Sequence, residues 1–178
     1  MSAWRPGERL ADAASMLRVD QAGEYGATRI YAGQLAVLRP NCSEAKLISR
    51  MAAQEERHLA RFNRLMAARR VRPTALQPLW NVAGFALGAA TALMSEKAAL
   101  ACTDAVETEI DRHYGRQLDE LDGNDPELES DIAEFRAEEL EHRDTAREAG
   151  SAGAIGYPVL TAAIRAGCRV AIALSKRI

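Results

Sequence analysis

Aromatic residues make up only 5% of this chain, and its six prolines stand between stretches of regular apolar spacing rather than inside them. No stretch alternates polar and apolar residues with β-branched enrichment, so no sheet is expected. The three cysteines, Cys42, Cys102 and Cys168, are odd in number, lie about sixty residues apart and form no CxxC pair. That excludes a disulfide framework and a cysteine-held iron–sulfur relay, and suits a reducing compartment. The absence of a GxGxxG segment excludes a Rossmann nucleotide site. A formal net charge of -2 gives no electrostatic reason for nucleic acid as a partner. The opening "MSAWRPGERLADAAS" has no apolar core, so neither a secretory signal nor a transit peptide is expected, and a bacterial setting is favoured.

What is abundant is alanine and helical periodicity, in a chain that is 48% hydrophobic. The expectation is an all-α protein forming one domain over residues 1–178. A first helix is predicted from about Glu8 to Leu38, stopped by Pro40. A second starts near Ser43, with "SEAK" as its cap, and ends before Pro73. Pro78 opens a third stretch, "DGNDP" (Asp122–Pro126) forms a turn with Pro126 at a first helical position, and the next helix runs to about Ala149. "GSAGAIGYP" (Gly150–Pro158) is a Gly-rich connection before a last helix.

Two stretches stand apart. "LWNVAGFALGAATALM" (Leu79–Met94) is sixteen residues without a charge, and its Gly84 and Gly88 form a GxxxG pair. It is shorter than the roughly 18–20 residues that span a bilayer, and fits a buried or dimer-interface helix as readily as membrane insertion. "PVLTAAIRAGCRVAIALSKRI" (Pro158–Ile178) has no acid at all, and on a helical wheel Arg165, Arg169 and Lys176 fall on one face. Such a helix suits a membrane surface with anionic headgroups.

Two of the three histidines follow a glutamate by three residues: Glu55 with His58 in "QEERHLARF", and Glu139 with His142 in "EELEHRDTA". On a helix each pair shares a face. Imidazole nitrogen with carboxylate oxygen suits iron or manganese. Chance alone would give two such matches in roughly one sequence in fifty at this glutamate content, so the spacing must be weighed with its surroundings. About thirty residues before each pair lies a carboxylate among small and apolar residues: Glu24 in "DQAGEYGATRI", and Asp104, Glu107 or Glu109 in "CTDAVETEIDRHYGRQ". Glu107 shares a face with Asp104 and Asp111 while Glu109 does not, which favours Glu107. The chain thus reads as two helical hairpins, each giving one lone Glu and one Glu-x-x-His, the donor set of a ferritin-like two-metal bundle. Four buried glutamates would repel one another, and two divalent cations would neutralise them. Gly23 and Gly26 leave room beside Glu24 for close packing.

These segments, with "MLRVDQAGEYGATRIYAGQ", "FRAEELEHRDTA" and the final "ALSKRI", resemble the demethoxyubiquinone hydroxylases of ubiquinone biosynthesis, the clock-1 family, over nearly the whole chain. The resemblance implies a ferritin-like four-helix bundle with two additional hydrophobic or amphipathic helices. It implies two Fe ions held by Glu24, Glu55, His58, Glu107, Glu139 and His142, with Glu55 and Glu139 bridging. His113 and Tyr114 would stand one layer behind these ligands. The implied reaction is O2-dependent hydroxylation of the quinone ring, with NADH as electron donor and a polyprenyl quinone as substrate. The implied setting is peripheral, on the cytoplasmic face of the bacterial inner membrane, with Leu79–Met94 and Pro158–Ile178 as docking helices, in a homo-oligomer with other ubiquinone-biosynthesis proteins as partners. The rival expectations are a ferritin-like iron-oxidising or storage protein and a peroxide scavenger.

Overall fold

The computed structural model describes residues 12–177, so Glu8–Ala11 of the expected first helix and the terminal Ile178 lie outside it. Six α-helices follow one another: α1 (Ala13–Val37), α2 (Ser43–Arg69), α3 (Gln77–Met94), α4 (Glu96–Leu121), α5 (Pro126–Glu148) and α6 (Tyr157–Ser175). A 3-10 turn, Ser151–Gly153, precedes the last, and no strand occurs among the described residues.

Each long helix of the bundle starts on a side chain that satisfies an orphan backbone N–H. Asp12 accepts from Ser15 N at 3.0 Å, Ser95 from Ala98 N at 3.0 Å, and Asp125 from Leu128 N at 3.2 Å. At α2 the cap is Cys42, whose Sγ accepts from Ala45 N at 3.3 Å, and not Ser43. Ser43 already has helical backbone, and its hydroxyl turns to the Glu44 carboxylate at 2.9 Å. Pro126 occupies the first turn of α5, as its fixed φ favours. The connection to α6 turns on Gly150 (φ 97°) and Gly156 (φ 70°), left-handed positions that suit glycine.

Short turns fold α1 onto α2 and α4 onto α5 as two antiparallel hairpins, which face each other to make an all-α, ferritin-like bundle. Below the bundle's middle, Met16, Leu17, Phe62, Leu65, Leu121, Leu128, Ile132 and Phe135 form the main apolar core. Each fully buried side chain of this kind contributes about 1.5–3 kcal/mol. Above it, Tyr31, Ile48, Met51 and Ala99 pack together. Between these layers lies a belt of buried polar residues.

Because α2 ends at the foot of the bundle and α4 begins at its head, α3 must carry the chain back, and it does so alongside α1. The contact is backbone on backbone. A methyl group built on Gly88 would run into the Ile30 carbonyl, and one on Gly33 into the Phe85 carbonyl. The GxxxG pair therefore serves packing within the chain. Gly23 and Gly26, expected to relieve crowding beside Glu24, have open space where a side chain would stand.

The helix α6 packs chiefly on α4 and meets α3 where Trp80 Nε1 donates to Ser175 Oγ at 3.0 Å. Ile30, Cys102, Val106 and Ile164, with Leu87 and Leu160 against them, fill the space beneath the two. Outward α3 and α6 leave Leu79, Val82, Leu93, Met94, Val159 and Val170, and the connection before α6 leaves Ile155, more than half exposed. The α6 helix is long and apolar enough to cross a membrane by length and composition. Its arginines do not point freely outward. Arg165 and Arg169 reach across to α4, where Glu109 Oε1 accepts from them at 2.8 and 3.0 Å. The angular clustering of the basic residues was legible, and two of them, Arg165 and Arg169, share a buried carboxylate on α4.

Candidate metal centre

At the polar belt, glutamate and histidine side chains converge from all four bundle helices. Glu24 comes from α1, Glu55 and His58 from α2, Glu107 from α4, and Glu139 and His142 from α5. None is more than 2% exposed. They fall into two overlapping groups whose ligand-type atoms lie within 4.8 Å of one another: Glu24, Glu55, His58 and Glu139, and Glu55, Glu107, Glu139 and His142. Glu55 and Glu139 belong to both.

Both imidazoles turn Nδ1 inward. His58 Nδ1 lies 3.1 Å from Glu139 and 3.4 Å from Glu24, and His142 Nδ1 lies 3.2 Å from both Glu55 and Glu139. Their Nε2 atoms turn outward to fixed partners: His58 to Glu138 at 2.8 Å, His142 to the Gln54 amide oxygen at 2.9 Å. The lone glutamates are oriented from the opposite hairpin. Tyr31 on α1 donates to Glu107 at 2.8 Å, and Tyr114 on α4 donates to Glu24. Phe135 stacks on His58 with ring centroids 4.0 Å apart, and Phe62 meets Phe135 edge-on, walling this side from water.

Several inward atoms are left without a hydrogen-bond partner among the described residues: Glu24 Oε2, both Glu55 oxygens, His58 Nδ1, Glu107 Oε2 and Glu139 Oε1. Buried acceptors of this kind are costly when unpaired, and their convergence fits a cluster completed by cations. Without them, burial and the neighbouring carboxylates push Glu55 and Glu107 well above the ordinary carboxylate range. Burial would lower His58, but the adjacent Glu139 and Glu24 overcome it and carry the imidazole up to about 10. Burial would raise Glu139, but contacts with His142 and His58 bring it down to about 2. Protons thus occupy places where positive charge is demanded, and cations would displace them. Hard oxygens with two imidazoles suit iron or manganese better than zinc or calcium.

The two residues expected one layer behind divide. Tyr114 touches Glu24, whereas His113 reaches Asp20 at 3.1 Å, itself bound by Gln117 at 2.8 Å. Glu109 and Asp104, the alternatives to Glu107, face away from the centre. Glu109 holds Arg112, Arg165 and Arg169, and Asp104 accepts from Arg147, Ser151 and Tyr157. Tyr31, Gln54 and Glu138 went unnoticed in the sequence. A signal for Tyr31 was there: it follows Glu24 by seven residues, as Tyr114 follows Glu107.

A family model described as ubiquinone biosynthesis protein COQ7 matches residues 11–175. The chain is 56% identical over 162 residues to the 3-demethoxyubiquinol 3-hydroxylase of Rhodospirillum rubrum, covering 91% of this chain and 76% of that protein. It is 53% identical over 167 residues to the mitochondrial NADPH-dependent 3-demethoxyubiquinone 3-hydroxylase of Homo sapiens, covering 92% and 76%. With the mitochondrial 5-demethoxyubiquinone hydroxylase of Saccharomyces cerevisiae it shares 46% identity over 179 residues, covering 92% and 77%.

Proposed function

The chain belongs to the COQ7 family of ubiquinone biosynthesis proteins, and on that premise we propose that it is the hydroxylase of a demethoxyubiquinone or demethoxyubiquinol ring, working with O2 at a two-iron centre. The observation that carries this reading is the buried set of inward, unpaired glutamate and histidine atoms. Glu24, Glu55, His58, Glu107, Glu139 and His142 would hold the irons, with Glu55 and Glu139 between them. Bound iron would supply the activation of O2 and the electrons that the ring hydroxylation consumes.

The chain's own part is to fix and dry the site. The outward hydrogen bonds of His58 and His142 set the tautomer in which Nδ1 is the free donor atom. Tyr31 and Tyr114 hold one oxygen of Glu107 and Glu24, leaving the other to turn inward. Phe62 and Phe135 keep water from the His58 side.

A polyprenyl quinone lives in a bilayer. The exposed apolar side of α3 and α6 is the proposed docking face on the cytoplasmic side of a bacterial inner membrane, with the ring admitted past Leu87, Leu160 and Ile164. The helices act as one domain in this reading, alone or beside other copies and other proteins of the route. The electron donor is taken to be a reduced nicotinamide, NADH by the sequence expectation and NADPH in the name of the human relative. Family membership weighs against iron storage and peroxide scavenging.

The test is complementation of a bacterium lacking its own quinone hydroxylase, with quinones read by mass spectrometry. Expression should restore ubiquinone, and Glu55→Gln should not, with iron content falling below two per chain. Accumulation of the demethoxy precursor in the presence of iron-loaded protein would refute the assignment.

A further inference from the structure

The two halves of the centre repeat each other. Glu24 and Tyr31 on α1 correspond to Glu107 and Tyr114 on α4, and Glu55 with His58 on α2 corresponds to Glu139 with His142 on α5. The contacts repeat as well. Each tyrosine donates to the other half's lone glutamate. Each histidine, through Nε2, meets the residue immediately before the other half's paired glutamate.

At that position the halves differ in charge. His58 meets the carboxylate of Glu138 at 2.8 Å, whereas His142 meets the neutral amide oxygen of Gln54 at 2.9 Å. The Gln54 amide nitrogen lies 3.5 Å from the same Glu138 oxygen, so the two form one strap across both histidines. A histidine whose far nitrogen donates to a carboxylate is the more basic ligand. Arg57 also binds Glu138, but its side chain is 52% exposed and so it offsets only part of that charge.

We propose that the two cation positions are unequal and that Glu138 opposite Gln54 makes them so: the position of Glu24, Glu55, His58 and Glu139 takes a divalent cation before that of Glu55, Glu107, Glu139 and His142. The proposal rests on the two-metal reading above. Glu138 and Gln54 are positioning residues, since each acts through a histidine.

The test titrates the metal-free full chain with Co2+ under anaerobic conditions, following heat and the cobalt d–d absorption. A crystal carrying one equivalent, with anomalous scattering at the cobalt edge, then shows which position fills first. The wild type should bind in two steps separated by about tenfold or more in affinity, with the first cobalt beside His58. Glu138→Gln keeps an oxygen for His58 Nε2 but removes the charge, and should weaken the first step about 10–100-fold so that the steps merge. Gln54→Glu supplies the missing charge and should tighten the second step. If Glu138→Gln does not fold, Gln54→Glu decides alone. Cobalt shared evenly, a first cobalt beside His142, or a Gln54→Glu variant with an unchanged second step would overturn the proposal. A wild type that binds no cobalt would instead overturn the metal reading itself.

Discussion

In the presence of a chelator, the stability of this protein should fall as the pH rises from 7 to 9. One contributor is His58, which is fully buried and carried up to about 10 by Glu139 and Glu24 against the opposing effect of burial. Its folded value lies above its ordinary value near 6.5, so its stabilising effect is complete below about 6.5 and is lost as the pH climbs through about 10. Over the two units from pH 7 to 9 the unfolded chain has released this proton while the folded chain still largely holds it, a loss of about 2–3 kcal/mol. For a chain of this size that is about 5–10 °C in melting temperature. Glu55 and Glu107, raised by burial and by neighbouring carboxylates, act with the same sign: their contribution is lost as the pH rises from the ordinary carboxylate range through their folded values. Glu139, brought down to about 2, loses its contribution only as the pH falls through that value, and is silent in this window. The assay is urea denaturation at pH 7, 8 and 9 in the presence of a chelator, with His58→Gln as the reference. The wild-type slope should exceed the variant's by about 1 kcal/mol per pH unit, a little under the value for one fully retained proton. Saturating divalent metal should flatten the wild-type profile, because cations then stand where the protons were. A metal-free wild type whose stability is flat or rising between pH 7 and 9, with its helicity intact, would refute the reasoning.

Gly88→Ala should destabilise the fold by about 2–3 kcal/mol through overpacking against Ile30, whereas Gly23→Ala, with open space at its Cβ, should be neutral or stabilise by up to about 1 kcal/mol; chemical denaturation reads both. Glu109→Gln should free Arg112, Arg165 and Arg169 from their shared buried partner, and faster hydrogen exchange along α6, with α2 and α5 unchanged, is the expected result. Val82→Glu with Val170→Glu places charge on the exposed apolar side and should lower partition onto lipid vesicles while leaving iron content at the wild-type level.

The hairpins and their meeting residues were legible because helical geometry converts spacing into direction: i and i+3 share a face in any α-helix, so Glu55 with His58 and Glu139 with His142 had to project together. The roughly equal offsets to Glu24 and Glu107 then located the partners across short turns. What spacing does not carry is which way a face turns. Arg165 and Arg169 clustered on the wheel, but whether they met solvent or a carboxylate depended on α4 lying beneath them. Glu138 stands in a run of charge that singles out no member, and only the opposing hairpin made it the partner of His58. Gly84 and Gly88 declared a close approach without naming the helix approached, and Gly23 and Gly26 suggested crowding where the structure leaves room. The cap of α2 was missed by one residue because cysteine is an uncommon acceptor at that position.

The backbone contact between α3 and α1 has a mechanical side. Most pairs of helices are separated by a layer of side chains that can shift rotamer and absorb small displacements. Here Gly84 rests near the Gly26 carbonyl and Gly88 against Ile30, with no such cushion between them. Gly26 is two residues from Glu24. Pressure or tilt applied to the outer helix is therefore passed undamped to the helix that carries Glu24, so the buried centre is stiffly geared to whatever α3 touches.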